Sequence, residues 1–146
     1  MKVSTGSDHR GVEPRKIVRA AIESAGHESV DVGSDSTESC DYPDFAVLVC
    51  EKITGGTCER GILVCGSGIG MSIAANKVDG IRAALCYDVE TARLSRQHND
   101  ANVLCLPSEQ LNESDMQEMI TVWLKTDFEG GRHARRVEKM MAIEKS

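Results

Sequence analysis

Short apolar runs alternate with amphipathic ones along this 146-residue chain, and that alternation restricts the fold more than any other feature. The strand-like runs are Val3–Gly6, Ser29–Val32, Gly61–Cys65, Ile81–Cys86 and Asn102–Leu106. Helical spacing fills the gaps between them. Val18, Ala21, Ile22 and Ala25 recur at i, i+3, i+4 and i+7, with Gly26 placed to stop that helix. Phe45, Leu48, Val49 and Ile53 repeat the pattern, as do Met116, Met119, Ile120, Trp123 and Leu124. A last helical segment is expected from Arg132 to Glu144. Such alternation implies an α/β fold with a parallel sheet covered on both faces. The length fits one domain, residues 1–146, with a core of its own. Ligands of these sheets bind beyond the carboxyl ends of the strands. Ser7-Asp8-His9 after the first strand, Cys65 to Gly70 after the third and the residues after Cys86 should therefore open on one edge.

Composition narrows the partners. Aromatic residues make up only 3%, which leaves an aliphatic core and no stacking platform for single-stranded nucleic acid. A net charge of −6 disfavours general polyanion binding, so any phosphate ligand should be small and locally held. The apolar runs are too short for a membrane span, and the chain opens on a strand-like segment without a signal-peptide core. A cytoplasmic protein is expected, with partners that include neither nucleic acid nor membrane. The six cysteines at 40, 50, 58, 65, 86 and 105 contain no C-x-x-C pair or compact Cys/His cluster. Neither structural zinc nor disulfides are expected from them.

Chemistry concentrates in Cys65-Gly66-Ser67-Gly68-Ile69-Gly70, a glycine turn between a strand and a helix-like run. Backbone N–H groups in such a turn can hold an anion. A thiol beside a helix start should have a lowered pKa. A dinucleotide fingerprint is incomplete, because Met71 replaces the third glycine and the loop follows the third strand. Asp88 reads as the N-cap of a helix over Val89 to Gln97 rather than as a ribose contact. No phosphate-binding G-x-x-x-x-G-K-[ST] motif occurs.

Three further groups complete the chemistry. His98 ends the helical run in Gln97-His98-Asn99-Asp100, where a helix C-terminus favours an imidazolium suited to general acid work. Alone it would read as a solvated histidine; the polar cluster around it favours function. Asp8-His9 places a carboxylate and an imidazole at the ligand edge. Arg132 and Arg136 are i, i+4 neighbours that can converge on one phosphate, unless they belong to a solvated basic face.

Together these stretches resemble one family, ribose-5-phosphate isomerase B, in the group that includes galactose-6-phosphate isomerase subunits. The matching stretches are Ser7-Asp8-His9, Asp41-Tyr42-Pro43, Cys65 to Gly70 with Ser72 to Lys77, Ser95 to Asp100, and Glu129 to His133 with Arg136. The resemblance implies a three-layer α/β/α sandwich around a Rossmann-like five-stranded parallel sheet. It also implies an aldose–ketose isomerase that needs no metal and no cofactor. The substrates would be D-ribose 5-phosphate and D-ribulose 5-phosphate, a sugar phosphate of the pentose phosphate pathway. By this resemblance Cys65 is the base, His98 the acid of ring opening with Asp8 assisting, and Ser67 a helper at the enediolate. The Gly66, Ser67, Gly68, Ile69 and Gly70 backbone would hold the enediolate oxygens. His9, Arg132 and Arg136 would hold the phosphate, and Asn99 a sugar hydroxyl. A homodimer, or a pair of dimers, would share each site across its interface, with the C-terminal helix reaching toward the partner. Ser67 stands where many members carry threonine, and Cys65 marks the thiol-base branch. Two alternatives stay open: isomerisation of allose or galactose 6-phosphate, and a non-catalytic sugar-phosphate-binding protein.

Overall fold

The computed structural model describes residues 1–33 and 40–145. Five strands form one all-parallel sheet: β1 (Lys2–Ser7), β2 (Glu28–Asp31), β3 (Arg60–Cys65), β4 (Ala83–Leu85) and β5 (Val103–Pro107). Their spatial order is β2-β1-β3-β5-β4. The connecting helices are α1 (Val12–Ser24), α2 (Tyr42–Thr54), α3 (Ile69–Ala75), α4 (Val89–Asn99) and α5 (Glu113–Lys125). The terminal α6 (Arg132–Ala142) follows, and short 3-10 turns lie at His9–Gly11 and Ile143–Lys145. This is the expected three-layer α/β arrangement.

Side-chain alternation along the strands builds two cores. On one face Ile62, Val64, Leu104 and Leu106 pack with Val18 and Ile22 of α1, Ala92 of α4 and Met119, Ile120 and Trp123 of α5. On the other face Leu63, Cys65, Val103 and Cys105 pack with Val49 and Cys50 of α2 and Met71 and Ala75 of α3. Cys65 is thus a core residue of the α2/α3 face, placed at the last position of its strand.

Local chemistry sets the ends of the elements. Gly26 has φ +88 just after the C-cap Ala25, a conformation glycine adopts without a Cβ clash. Asp88 caps α4 through a reciprocal pair with Thr91, its carboxylate accepting the Thr91 N–H at 2.7 Å. The expected fourth strand, Ile81–Cys86, is shorter than its apolar run. The Asn102 side chain takes the Arg82 N–H at 2.8 Å, and Asn76 pairs with both backbone groups of Ala83. Asn102 thus takes the Arg82 N–H just before the strand, and Asn76 satisfies the open edge of Ala83. Among the described residues, no helix is long and apolar enough to cross a membrane.

Candidate active site

A crevice opens where the strand order reverses. From β1 the chain crosses to β2 on one side, whereas β3 has its other neighbour, β5, on the opposite side. The carboxyl ends of β1 and β3 therefore flank an open cleft of about 710 Å³. Asp8, His9, Cys65, Gly66, Ser67, Ile69 and Gly70 line it, as the strand-end rule predicts. Asp8 is 7% exposed, and its carboxylate accepts the Arg10 N–H at 3.0 Å, capping the 3-10 turn. His9 Nδ1 accepts the Cys40 N–H at 3.2 Å. That bond leaves Nε2 of a neutral ring as the proton-bearing nitrogen.

The loop after β3 needs its glycines for two reasons. Gly68 has φ +76, and a Cβ there would lie 2.5 Å from Leu85 Cδ1. A Cβ on Gly70 would meet Cζ of Tyr42 at the same 2.5 Å, so the phenol ring rests against bare backbone. Gly68 is buried beneath the cleft, where it shapes the turn. The loop amides divide their work. Those of Gly68 and Met71 favour a thiolate at Cys65, and the Ile69 N–H donates to Ser67 Oγ at 3.2 Å. The amides of Gly66, Ser67 and Gly70 have no hydrogen-bond acceptor among the described residues. The cradle for an oxyanion is thus narrower than the whole Gly66–Gly70 backbone.

The Cys65 thiol contradicts the expectation of a lowered pKa. Burial pushes it up, against the two amides that favour thiolate, and the carboxylates of Asp8 and Glu109 push the same way as burial. The helix that follows has only seven residues, and its dipole does not overcome desolvation of a sulfur whose residue is 6% exposed.

His98, Asn99, Arg132 and Arg136 lie elsewhere. Helix α4 runs back along the sheet and delivers His98 and Asn99 to the amino edge. There the Asn102 N–H donates to Arg82 and its carbonyl accepts the Gly61 N–H. The length of β5, roughly 15 Å, separates that edge from Cys65, which pairs with Pro107. The Glu129 N–H donates to the Gln97 carbonyl at 3.0 Å, pinning the start of α6 to the same edge. Arg132 and Arg136 are exposed, and their side chains make no hydrogen bond or ion pair among the described residues. Asn99 borders a separate cavity of about 610 Å³ together with Arg82, Met140 and Met141. The expected site residues therefore fall into two groups on opposite edges of the sheet.

The model for the ribose/galactose isomerase family matches residues 3–140. The chain belongs to that family. It is 43% identical to the ribose-5-phosphate isomerase B of Escherichia coli, over 98% of this chain and 96% of that one. A solved ribose-5-phosphate isomerase B from Clostridium thermocellum superposes with a TM-score of 0.96 at 47% identity, covering 99% of this chain and 98% of that one. A third relative, from Mycoplasma genitalium, was solved with bound ribulose 5-phosphate; it gives a TM-score of 0.94 at 41% identity, covering 99% of this chain and 97% of its own.

Within this family fold, the structure adds residues that the sequence reading did not single out for the site. Tyr42, Arg10 and Cys40 line the cleft. Asp41-Tyr42-Pro43 was the available signal for the tyrosine. At the amino edge the His133 ring stacks on His98 with centroids 4.3 Å apart and planes 10° from parallel. Both Nε2 atoms approach the same Glu129 oxygen, at 3.7 Å from His98 and 3.6 Å from His133. These groups form no compact cluster in the sequence, because His98 and His133 stand 35 positions apart and meet only through the docking of α6.

Proposed function

We propose that the chain interconverts D-ribose 5-phosphate and D-ribulose 5-phosphate, an intramolecular oxidoreduction of a phosphorylated aldose and ketose. One observation carries the reading: a strand-end thiol lies beside three unengaged amides in the crevice of a chain of this family. Removing a proton α to a carbonyl needs a base and donors for the oxygen that becomes negative. The Cys65 thiolate takes the proton from C2 of the open-chain aldose and returns it to C1, while the O2 hydroxyl proton passes to O1. The amides of Gly66, Ser67 and Gly70 and the Ser67 hydroxyl receive the enediolate oxygens. Asp8 at the cleft wall assists ring opening, and His9 Nε2–H meets the phosphate.

The remaining groups come from a second copy of the chain. His98 protonates the ring oxygen as the furanose opens, Asn99 holds a hydroxyl, and Arg132 and Arg136 take the phosphate. The two half-sites support this, since one chain cannot bring them to one small sugar. Helix α6 supports it too. None of its residues is buried, and Met140 and the following Ile143 are 42% and 69% exposed. Ile69 and Ile73 beside the cleft are 50% and 58% exposed, which leaves apolar surface for a homodimer to cover.

A coupled assay comparing ribose 5-phosphate with allose and galactose 6-phosphates tests the substrate. The expected result is the highest kcat/KM for the pentose. Faster turnover of a hexose 6-phosphate would assign a longer sugar. Binding without exchange of the C2 proton in deuterated water would make the chain a sugar-phosphate-binding protein. Cys65→Ala should cost at least about a hundredfold in rate while the circular dichroism spectrum is unchanged. A variant with near-normal turnover would remove Cys65 from the role of base.

A further inference from the structure

We infer that His98, Glu129 and His133 form a binding site for a divalent transition cation of the zinc class, and that occupying it stops isomerisation. The inhibitory part rests on the role proposed for His98; the site itself does not.

The three side chains each offer one ligand atom, and those atoms lie within 4.8 Å of one another. Two imidazole nitrogens and one carboxylate oxygen are a donor set that zinc accepts, with a fourth position left for water. Ligand atoms on a tetrahedral zinc are about 3.3 Å apart, given bonds of about 2.0–2.1 Å. The observed separations from Glu129 Oε1, 3.7 Å and 3.6 Å, are close to that value, and the two stacked imidazoles, 10° from parallel, would turn out of their stack so that both in-plane lone pairs meet one ion. The scaffold is already braced. Glu129 is tied to α4 through the Gln97 carbonyl, and the His133 N–H donates to Gly130 at 3.1 Å.

The nearby Arg132 and Arg136 oppose any cation, which favours ions that gain strongly from imidazole over magnesium or calcium. Zinc on His98 would occupy the imidazole proposed to protonate the sugar ring.

Titration of the full chain with zinc and with cobalt(II) tests the site, and the cobalt spectrum identifies the ligands without reference to activity. Wild-type protein should bind one cobalt ion per chain with a visible ligand-field band and no thiolate-to-metal charge-transfer band. His133→Gln and Glu129→Gln, checked for folding by circular dichroism, should each weaken binding by about tenfold or more. Zinc should inhibit wild-type turnover, an equal concentration of magnesium should not, and His133→Gln should need correspondingly more zinc. A thiolate band would place the metal on a cysteine and overturn the proposal. So would unchanged affinity in both variants, or no binding by the wild type. Metal binding at the three residues without loss of turnover would retain the site and overturn its inhibitory role.

Discussion

At Cys65 two physical effects oppose each other, and the balance sets how the rate depends on pH. Amides of Gly68 and Met71 favour the thiolate, but burial outweighs them and Asp8 and Glu109 add repulsion. The pKa therefore lies above the ordinary 9.0, and the active thiolate is a minor species at neutral pH. Where abstraction of the C2 proton limits the rate, the sign for a base is fixed: kcat/KM should climb about tenfold per pH unit through the neutral range until the thiol titrates. A plateau that begins near neutrality would contradict this. Glu109→Gln removes one of the two repelling carboxylates and also frees the Arg10 guanidinium, 3.2 Å from Glu109, to act on the site. Both changes favour the thiolate, so the pH midpoint for alkylation of Cys65 by iodoacetamide should move down. An unmoved or higher midpoint would show that burial alone sets the thiol. A low-pKa thiol was the natural expectation from a glycine turn at a helix start, and it failed because sequence displays the dipole but not the depth of the sulfur.

At the scale of elements, the β3–α3 turn joins fold to chemistry. Gly68 at φ +76 reverses the chain so that the Gly66, Ser67 and Gly70 amides stay unengaged beside Cys65. Gly68→Ala should cost about 1–2 kcal/mol from the left-handed backbone alone, and somewhat more because the new methyl displaces Leu85. Urea denaturation reads that loss, and turnover should fall more than stability suggests because the amides move with the turn. A variant as stable and active as wild type would mean the turn tolerates a side chain. Local signals of this kind were legible in the sequence. Asp88 as a cap, Gly26 as a stop and the glycines of the loop all depend on neighbours a few residues away. The bounds of β4 were not legible, because the Asn102 and Asn76 amides that bond its start and its open edge come from other segments. The His98–His133 stack escaped for the same reason.

At the scale of the molecule, parallel topology separates groups that the proposed mechanism needs together. A helix that follows a parallel strand must return the chain to the amino edge, so His98 at the end of α4 is carried a strand's length from Cys65. The motifs were readable one by one; their division between two edges was not, because it follows from the sheet as a whole. If a twofold pair completes each site, catalysis has a distinctive arithmetic. Cys65→Ala and Arg136→Ala chains should each be nearly inactive on the phosphorylated pentose when assayed alone. Dissociated, mixed in equal amounts and reassociated, about half of the dimers are hybrids, and each hybrid holds one site with both substitutions and one with neither. Activity should therefore return to about a quarter of the wild-type value. If Cys65 and Arg136 of one chain served the same site, every site in every hybrid would carry one substitution, and mixing would restore nothing. The same mixture with Cys65→Ala and Asp8→Asn chains is the control: both residues lie on the carboxyl edge of one chain, so no hybrid contains an intact site. Recovery in the first mixture but not in the second would require the Cys65 edge of one chain to meet the Arg136 edge of another.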